Sequence, residues 1–213
     1  LNRGCIPTKA YYSDIIGRHG NIEDMWDKKN QVVETLRGGI SHLMKLNNVD
    51  VIFGEGTIAE VDDIKKVKVK IGQDTEEVSG KNLIIAVGSK CRDIDFENND
   101  IDEIISGDYG VNREELWNSD KVKSVAIAGA GVIAIEFAFM LKALGKEVTI
   151  LKHSDQILRS CDKDIKRKIK SIIRKEKIKT IDYFSIENVE KQDDNSIIVY
   201  GDSKIGPQAI KCD

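Results

Sequence analysis

The spacing of apolar residues changes along the chain, and each change predicts a different element. Through 22–47, Val33, Leu36, Ile40 and Leu43 recur at intervals of three and four, which predicts a long amphipathic helix. Gly38 and Gly39 weaken its middle by about 1 kcal/mol each relative to alanine and suggest close packing against a neighbour. His42 falls near the apolar face, where it reads as a packed core histidine rather than a ligand. From Val51 the period shortens: residues 51–53, 57–59, 67–71 and 76–78 predict short strands joined by polar turns. Residues 83–87 are wholly apolar and predict a buried strand. It stops at Gly88 and Ser89, as a ligand-facing sheet edge often does. Residues 90–120 are acidic and poorly periodic, and predict a connection with one helical turn at 113–117.

A second pattern begins near Lys121. The apolar run 125–128 meets Gly129 and Gly131, a small apolar stretch continues to Leu144, and a second apolar run covers 148–151. Strand, glycine turn, helix, strand is the opening of a dinucleotide-binding unit. Gly129 allows the sharp turn and Gly131 lets the backbone approach a pyrophosphate. Ala134 is small where helix and strand pack closely, and the first helical N–H groups would meet the phosphate charge. Residues 162–177 predict a basic amphipathic helix with Ile165, Ile169, Ile172 and Ile173 as its buried stripe. Strands follow at 178–181, 185–189 and 197–199, with a further strand beginning at 209–212.

Composition narrows the function classes. The 213 residues are 40% apolar and 32% charged, with net charge -3, so there is no electrostatic case for nucleic acid. No apolar stretch reaches membrane-spanning length. Cys5, Cys91, Cys161 and Cys212 follow neither a zinc nor a secreted disulfide spacing, and fit a reducing compartment. The chain starts at Leu1 without methionine, and both ends read as internal to something longer. Pro7 suits the first turn of a helix, so Cys5 lies at or before a helix N-terminus, where thiolate is favoured. Lys9 is one turn further on the same face. These residues alone read either as a redox or nucleophilic site or as a buried cysteine beside a surface lysine.

Four stretches, in order, resemble the flavin-dependent pyridine nucleotide–disulfide oxidoreductases: LNRGCIPTK at 1–9, TLRGGISHLMK at 35–45, IIAVGS at 84–89 and GAGVIAIEFA at 129–138. Within that family they are most similar to the dihydrolipoamide dehydrogenases. The resemblance implies an α/β, Rossmann-like FAD/NAD(P)-binding fold, with 1–120 a partial FAD-binding domain and 121–213 the NAD(P)-binding domain. It implies that Cys5 is the flavin-side cysteine of a redox disulfide, whose partner would precede Leu1. Lys9 then approaches the flavin ring and Glu136 pairs with Lys9. Gly56 would lie close to the flavin nucleotide's adenine, and Gly88 ends the strand that returns to the flavin domain. Gly129, Gly131 and Ala134 form the nicotinamide-nucleotide turn.

The implied activity passes electrons from dihydrolipoamide, or another dithiol, through the disulfide and FAD to NAD. The implied assembly is a homodimer, with a 2-oxo acid dehydrogenase complex as possible partner. The family's acid–base histidine comes from the other subunit, and His19, His42 and His153 match no such motif. Two features pull the cofactor reading apart. Val132 resembles the aliphatic residue of the lipoamide enzymes. Lys152 and Arg159 resemble the 2'-phosphate grip of NADPH-dependent glutathione reductases, unless Lys152 simply points to solvent. NAD is expected, with NADP as the alternative. The flavin fingerprint and the dimerisation region are missing, so this chain alone is expected to bind FAD poorly and not to turn over. The rival readings are a glutathione reductase-like enzyme and a non-catalytic nucleotide-binding module.

Overall fold

The computed structural model describes residues 2–17, 24–91, 96–97, 101–118 and 120–213. His19 and the first residues of the helix expected from 22 lie outside these, as does part of 90–120. The chain forms two compact units, one of Leu1–Glu34 with Cys91–Asp213 and the other of Thr35–Lys90.

Helix α1 (Cys5–Gly17) starts at Cys5, with Pro7 in its first turn. The Thr8 N–H and Oγ1 both donate to the Gly4 carbonyl, at 3.1 and 2.8 Å. Helix α2 (Met25–Leu46) follows the predicted period. Its first turns bury Met25 and Lys29, but Leu36, Ile40, Leu43 and His42 are exposed. His42 is therefore not a core residue, and a Cβ at Gly38 or Gly39 would meet nothing within 4 Å. The apolar period set the helix without supplying the surface that would cover it.

Strands β1 (Glu55–Val61), β2 (Lys65–Ile71) and β3 (Asp74–Gly80) form an antiparallel meander. Gly72, at φ +63°, makes the two-residue turn between β2 and β3. Residues 51–53 and 81–90 are not strands. Ile84 and Val87 are each 89% exposed, which corrects the expectation of a buried strand at 83–87. An apolar run shows that a segment can be buried, whereas a strand also needs a ladder partner. Among the described residues 83–87 has none.

Two short helices follow, α3 (Gly107–Gly110) and α4 (Glu114–Asn118), the second matching the helical turn expected at 113–117. Then β4 (Ser124–Ala128), α5 (Val132–Ala143), β5 (Glu147–Leu151), α6 (Lys163–Lys175) and β6 (Lys179–Ile181) build a parallel sheet of order β4-β5-β6. Asp162 caps α6 by accepting from the Asp164 N–H at 2.8 Å. Of the expected stripe only Ile173 is buried; Ile169 and Ile172 are half-buried and Ile165 is exposed, so the C-terminal half of α6 meets the core. A second meander, β7 (Ser185–Lys191), β8 (Ile197–Ser203) and β9 (Gly206–Cys212), completes this unit. The architecture is mixed α/β with a Rossmann-like parallel core. No helix among the described residues is long and apolar enough to cross a membrane.

Aromatic packing joins α1 to α5. The Trp117 ring stacks on Tyr11 at 4.8 Å and meets Phe137 edge-on at 5.3 Å, and its indole N–H donates to the Gly110 carbonyl at 2.9 Å. A Cβ at Gly110 would stand 2.9 Å from Phe137. Lys29 lies beside Tyr11, its Nζ 5.8 Å from the ring centroid. Its ammonium lies 3.7 Å from the Trp26 ring centroid and donates to Asn112 Oδ1 at 3.2 Å. Burial pushes the Lys29 ammonium down from its ordinary pKa; burial, then the Glu114 charge, pushes the Tyr11 hydroxyl up.

Gly201 in β8 leaves no room for a side chain. A Cβ there would lie 2.2 Å from the Ser185 carbonyl oxygen and 2.8 Å from the Phe184 ring. Gly201→Ala is expected to destabilise the fold by about 1–3 kcal/mol. In urea unfolding the midpoint should fall with little change in slope; an unchanged midpoint would refute the clash.

Candidate functional site

The carboxyl edge of the parallel sheet positions the site. The Gly129 N–H donates to the Leu151 carbonyl at 2.8 Å, carrying the β4–β5 pairing one residue past the strand. The chain then turns at Gly129 with φ +105°, a conformation that favours glycine. Gly131 is the N-cap of α5, in an extended conformation that strains no residue type. Its contribution is space: a Cβ at Gly129 or Gly131 would meet nothing within 4 Å. No side chain caps α5, so its first-turn N–H groups face an open cradle that any side chain at Gly131 would fill. Those donors and the helix dipole suit an anion. The cradle fits the pyrophosphate of a dinucleotide. Ala134 is half-buried one turn in, and Val132 is exposed at the helix start.

The loop after β5 folds back on this turn. The Leu158 N–H donates to the Ala130 carbonyl at 2.9 Å, with Leu158 at φ +47°. Arg159 is exposed, and its carbonyl accepts from Lys166 Nζ at 2.8 Å. Lys152 is buried. Its Nζ pairs with Asp182 Oδ1 at 2.7 Å and lies 3.4 Å from the Asp155 carbonyl oxygen. The side chain thus neither points to solvent nor stands open to a phosphate. A buried ammonium without a partner is costly, and the end of β6 supplies the carboxylate. Nothing in the sequence signalled this pairing, because Lys152 and Asp182 stand at the ends of different strands and meet only through the sheet register.

The second half of the site lies between α1 and α5. Lys9 Nζ donates to Glu136 Oε1 in a hydrogen-bonded ion pair that bridges 127 residues of sequence. Glu136 is the less exposed partner, at 26% against 57% for Lys9. Cys5 is exposed one turn before Lys9; Cys91 and Cys161 are half-buried, and Cys212 is buried. Burial pushes the Cys212 thiol up from its ordinary pKa. Cys5, Lys9, Glu136, Gly129, Gly131, Ala134, Lys152 and Arg159 all belong to one compact unit, whereas Gly56 and Gly88 belong to the other. Gly56 pairs with Val69 inside the first meander, and Gly88 has φ +75° with open space at its Cβ.

A cavity of about 980 Å3 runs beside β4, with Gly129 and Gly131 at its rim and Val125, Phe137 and Val199 among its walls. The start of α5 at Val132, Ile133 and Ala134 and the polar side chains of Ser106, Arg113 and Ser124 also line it. Among the described residues no group of three His, Cys, Asp or Glu side chains could hold a metal ion.

Comparison with known proteins agrees with this geometry. The family model described as "Pyridine nucleotide-disulphide oxidoreductase" matches residues 1–213. The dihydrolipoyl dehydrogenase of Bacillus subtilis (strain 168) is 30% identical over 203 residues, covering 85% of this chain and 42% of the relative. That of Chlamydia pneumoniae is 30% identical over 218 residues, covering 95% and 45%. The chain thus spans under half the length of these two relatives. Among solved structures, the HOCl-induced flavoprotein disulfide reductase RclA from Escherichia coli superposes with TM-score 0.77 at 27% identity, covering 98% of this chain and 45% of that one. LpdA from Mycobacterium tuberculosis, at TM-score 0.77 and 16% identity, shares the fold, with 99% and 48% covered. A family match over the whole chain, on a Rossmann-like core with a glycine cradle at its sheet edge, makes this chain a member of the pyridine nucleotide–disulphide oxidoreductase family.

Proposed function

We propose that this chain is part of a dihydrolipoamide dehydrogenase-like enzyme. Such an enzyme passes electrons from a dithiol, through a disulfide that includes Cys5 and through FAD, to NAD. The observation that carries the reading is the Lys9–Glu136 ion pair, which fastens the helix bearing Cys5 to the helix that opens the dinucleotide cradle. In this reading 121–213 bind the nicotinamide dinucleotide and 1–120 contribute to the flavin site, with Gly56 and Gly88 included through the resemblance alone. FAD, when bound, supplies the two-electron relay between sulfur and nicotinamide. The chain's own residues do the rest. Cys5 presents its sulfur at the accessible start of α1. Glu136 holds the Lys9 ammonium in position, and the Gly129–Gly131 turn receives the dinucleotide's phosphates on backbone N–H groups. The enzyme then works as a homodimer in a reducing compartment, with a 2-oxo acid dehydrogenase complex as its partner.

A second reading reverses the electron flow, from reduced dinucleotide to a disulfide substrate. The likeness to the disulfide reductase RclA supports it. The visible spectrum of the purified gene product that contains this chain tests both. Under either reading it carries flavin, and a preparation without flavin overturns them. Bleaching by dihydrolipoamide, with NAD as acceptor, supports the first. Fast turnover of glutathione disulfide at the expense of NADPH, without the lipoamide reaction, would replace it with the second.

Two further outcomes are expected. Gly131→Val fills the cradle and should weaken binding of NAD to this chain by roughly tenfold or more, about 1.4 kcal/mol or more, in titration calorimetry. Unchanged affinity would remove the glycine turn from the site. In alkylation mapped by mass spectrometry, Cys5 should react first and Cys212 only on unfolding; early modification of Cys212 would contradict its burial.

A further inference from the structure

The register of the parallel sheet aligns three strand ends. Ala128 pairs with Leu151, and Leu151 with Ile181. Gly129, Lys152 and Asp182 are therefore the first residues beyond β4, β5 and β6, in one row across the carboxyl edge. Neighbouring strands lie about 4.8 Å apart, so the row runs about 10 Å from the glycine turn to Asp182. In a dinucleotide-binding unit, a carboxylate at the second strand's end, about 20 residues beyond the turn, accepts the adenosine ribose hydroxyls. Lys152 occupies that place, and a free ammonium there would attract a 2'-phosphate.

The ammonium is not free. Its side chain is 5% exposed and its Nζ sits 2.7 Å from Asp182 Oδ1, whereas the Asp182 side chain is 44% exposed. The pair buries the positive charge and leaves the carboxylate at the edge. The Lys152 N–H donates to the Ile181 carbonyl at 2.8 Å, which ties the two backbones together beside the pair. Three basic residues of α6 have partners of their own: Lys166 Nζ donates to the Arg159 carbonyl at 2.8 Å, Lys170 Nζ to the Asp155 carbonyl at 3.2 Å, and Arg167 pairs with Asp164 at 2.9 Å.

We infer that Asp182 is the specificity-determining residue of this dinucleotide site and selects NAD(H) over NADP(H), with Lys152 as the positioning residue that holds its carboxylate at the sheet edge. The carboxylate accepts the ribose hydroxyls and repels a 2'-phosphate. The inference rests on the reading of the Gly129–Gly131 turn as a dinucleotide cradle.

Titration calorimetry of the 213-residue chain with NAD and with NADP tests it. The native protein should bind NAD roughly tenfold or more tightly than NADP. Asp182→Asn keeps a hydrogen-bond acceptor for Lys152 and removes the carboxylate's charge, and its fold is checked by circular dichroism before titration. It should weaken NAD, strengthen NADP and bring the two to within about threefold. Lys152→Met should weaken NAD while NADP stays poorly bound, and Lys152→Arg should restore NAD binding. The inference is overturned if the native chain binds NADP as tightly as NAD, or if Asp182→Asn leaves their ratio unchanged. It is also overturned if Arg159→Ala, rather than Asp182→Asn, shifts that ratio. Binding of neither nucleotide by the native chain would overturn the cradle reading and the inference together; binding of both equally would overturn the inference alone.

Discussion

Trp117 is the wedge on which the site depends. Its ring is 2% exposed, stacked on Tyr11 of α1 and set edge-on against Phe137 of α5. A buried aromatic of this size fixes two helices in distance and in rotation. With that rotation set, Lys9 and Glu136 emerge on facing surfaces and can pair. Their ion pair is partly exposed and adds little stability by itself; it gains its geometry from the packing beneath it. The helix bearing Cys5 and the helix that follows the glycine turn are thus coupled by an apolar contact and aligned by a polar one.

The parallel sheet imposes a second constraint. Its register delivers a glycine, a lysine and an aspartate to one edge from three separate strand ends. Each strand also carries apolar residues into the core, with Ile150 and Leu151 of β5 both buried. The edge residues cannot move independently of that core. The glycine turn and the Lys152–Asp182 pair therefore share one packed base.

Much of this was legible beforehand. Gly129 marked the turn because few residue types tolerate a positive φ, and Gly131 and Ala134 marked the helix start because they are small. Cys5 and Lys9 were readable as one helix face from Pro7 and the four-residue spacing. The resemblance paired Lys9 with Glu136 before any geometry was known. Burial was less legible. Residues 84–87 and the stripe of Leu36, Ile40 and Leu43 are apolar yet exposed among the described residues, because periodicity records what a segment can bury and not what lies against it.

By itself the sequence determined most of the helices and strands, the glycine turn and the family, because these depend on local backbone preference and on short motifs; the strands expected at 51–53 and 83–87 did not form. Only the tertiary structure decided which charges meet. Lys152, in the sequence, was a cation at the place where a dinucleotide is read. In the fold it is buried and bound to Asp182, a partner from the end of another strand. Burying an ammonium is so unfavourable without a counter-charge that the pairing, and not the residue type, sets the charge that the sheet edge presents.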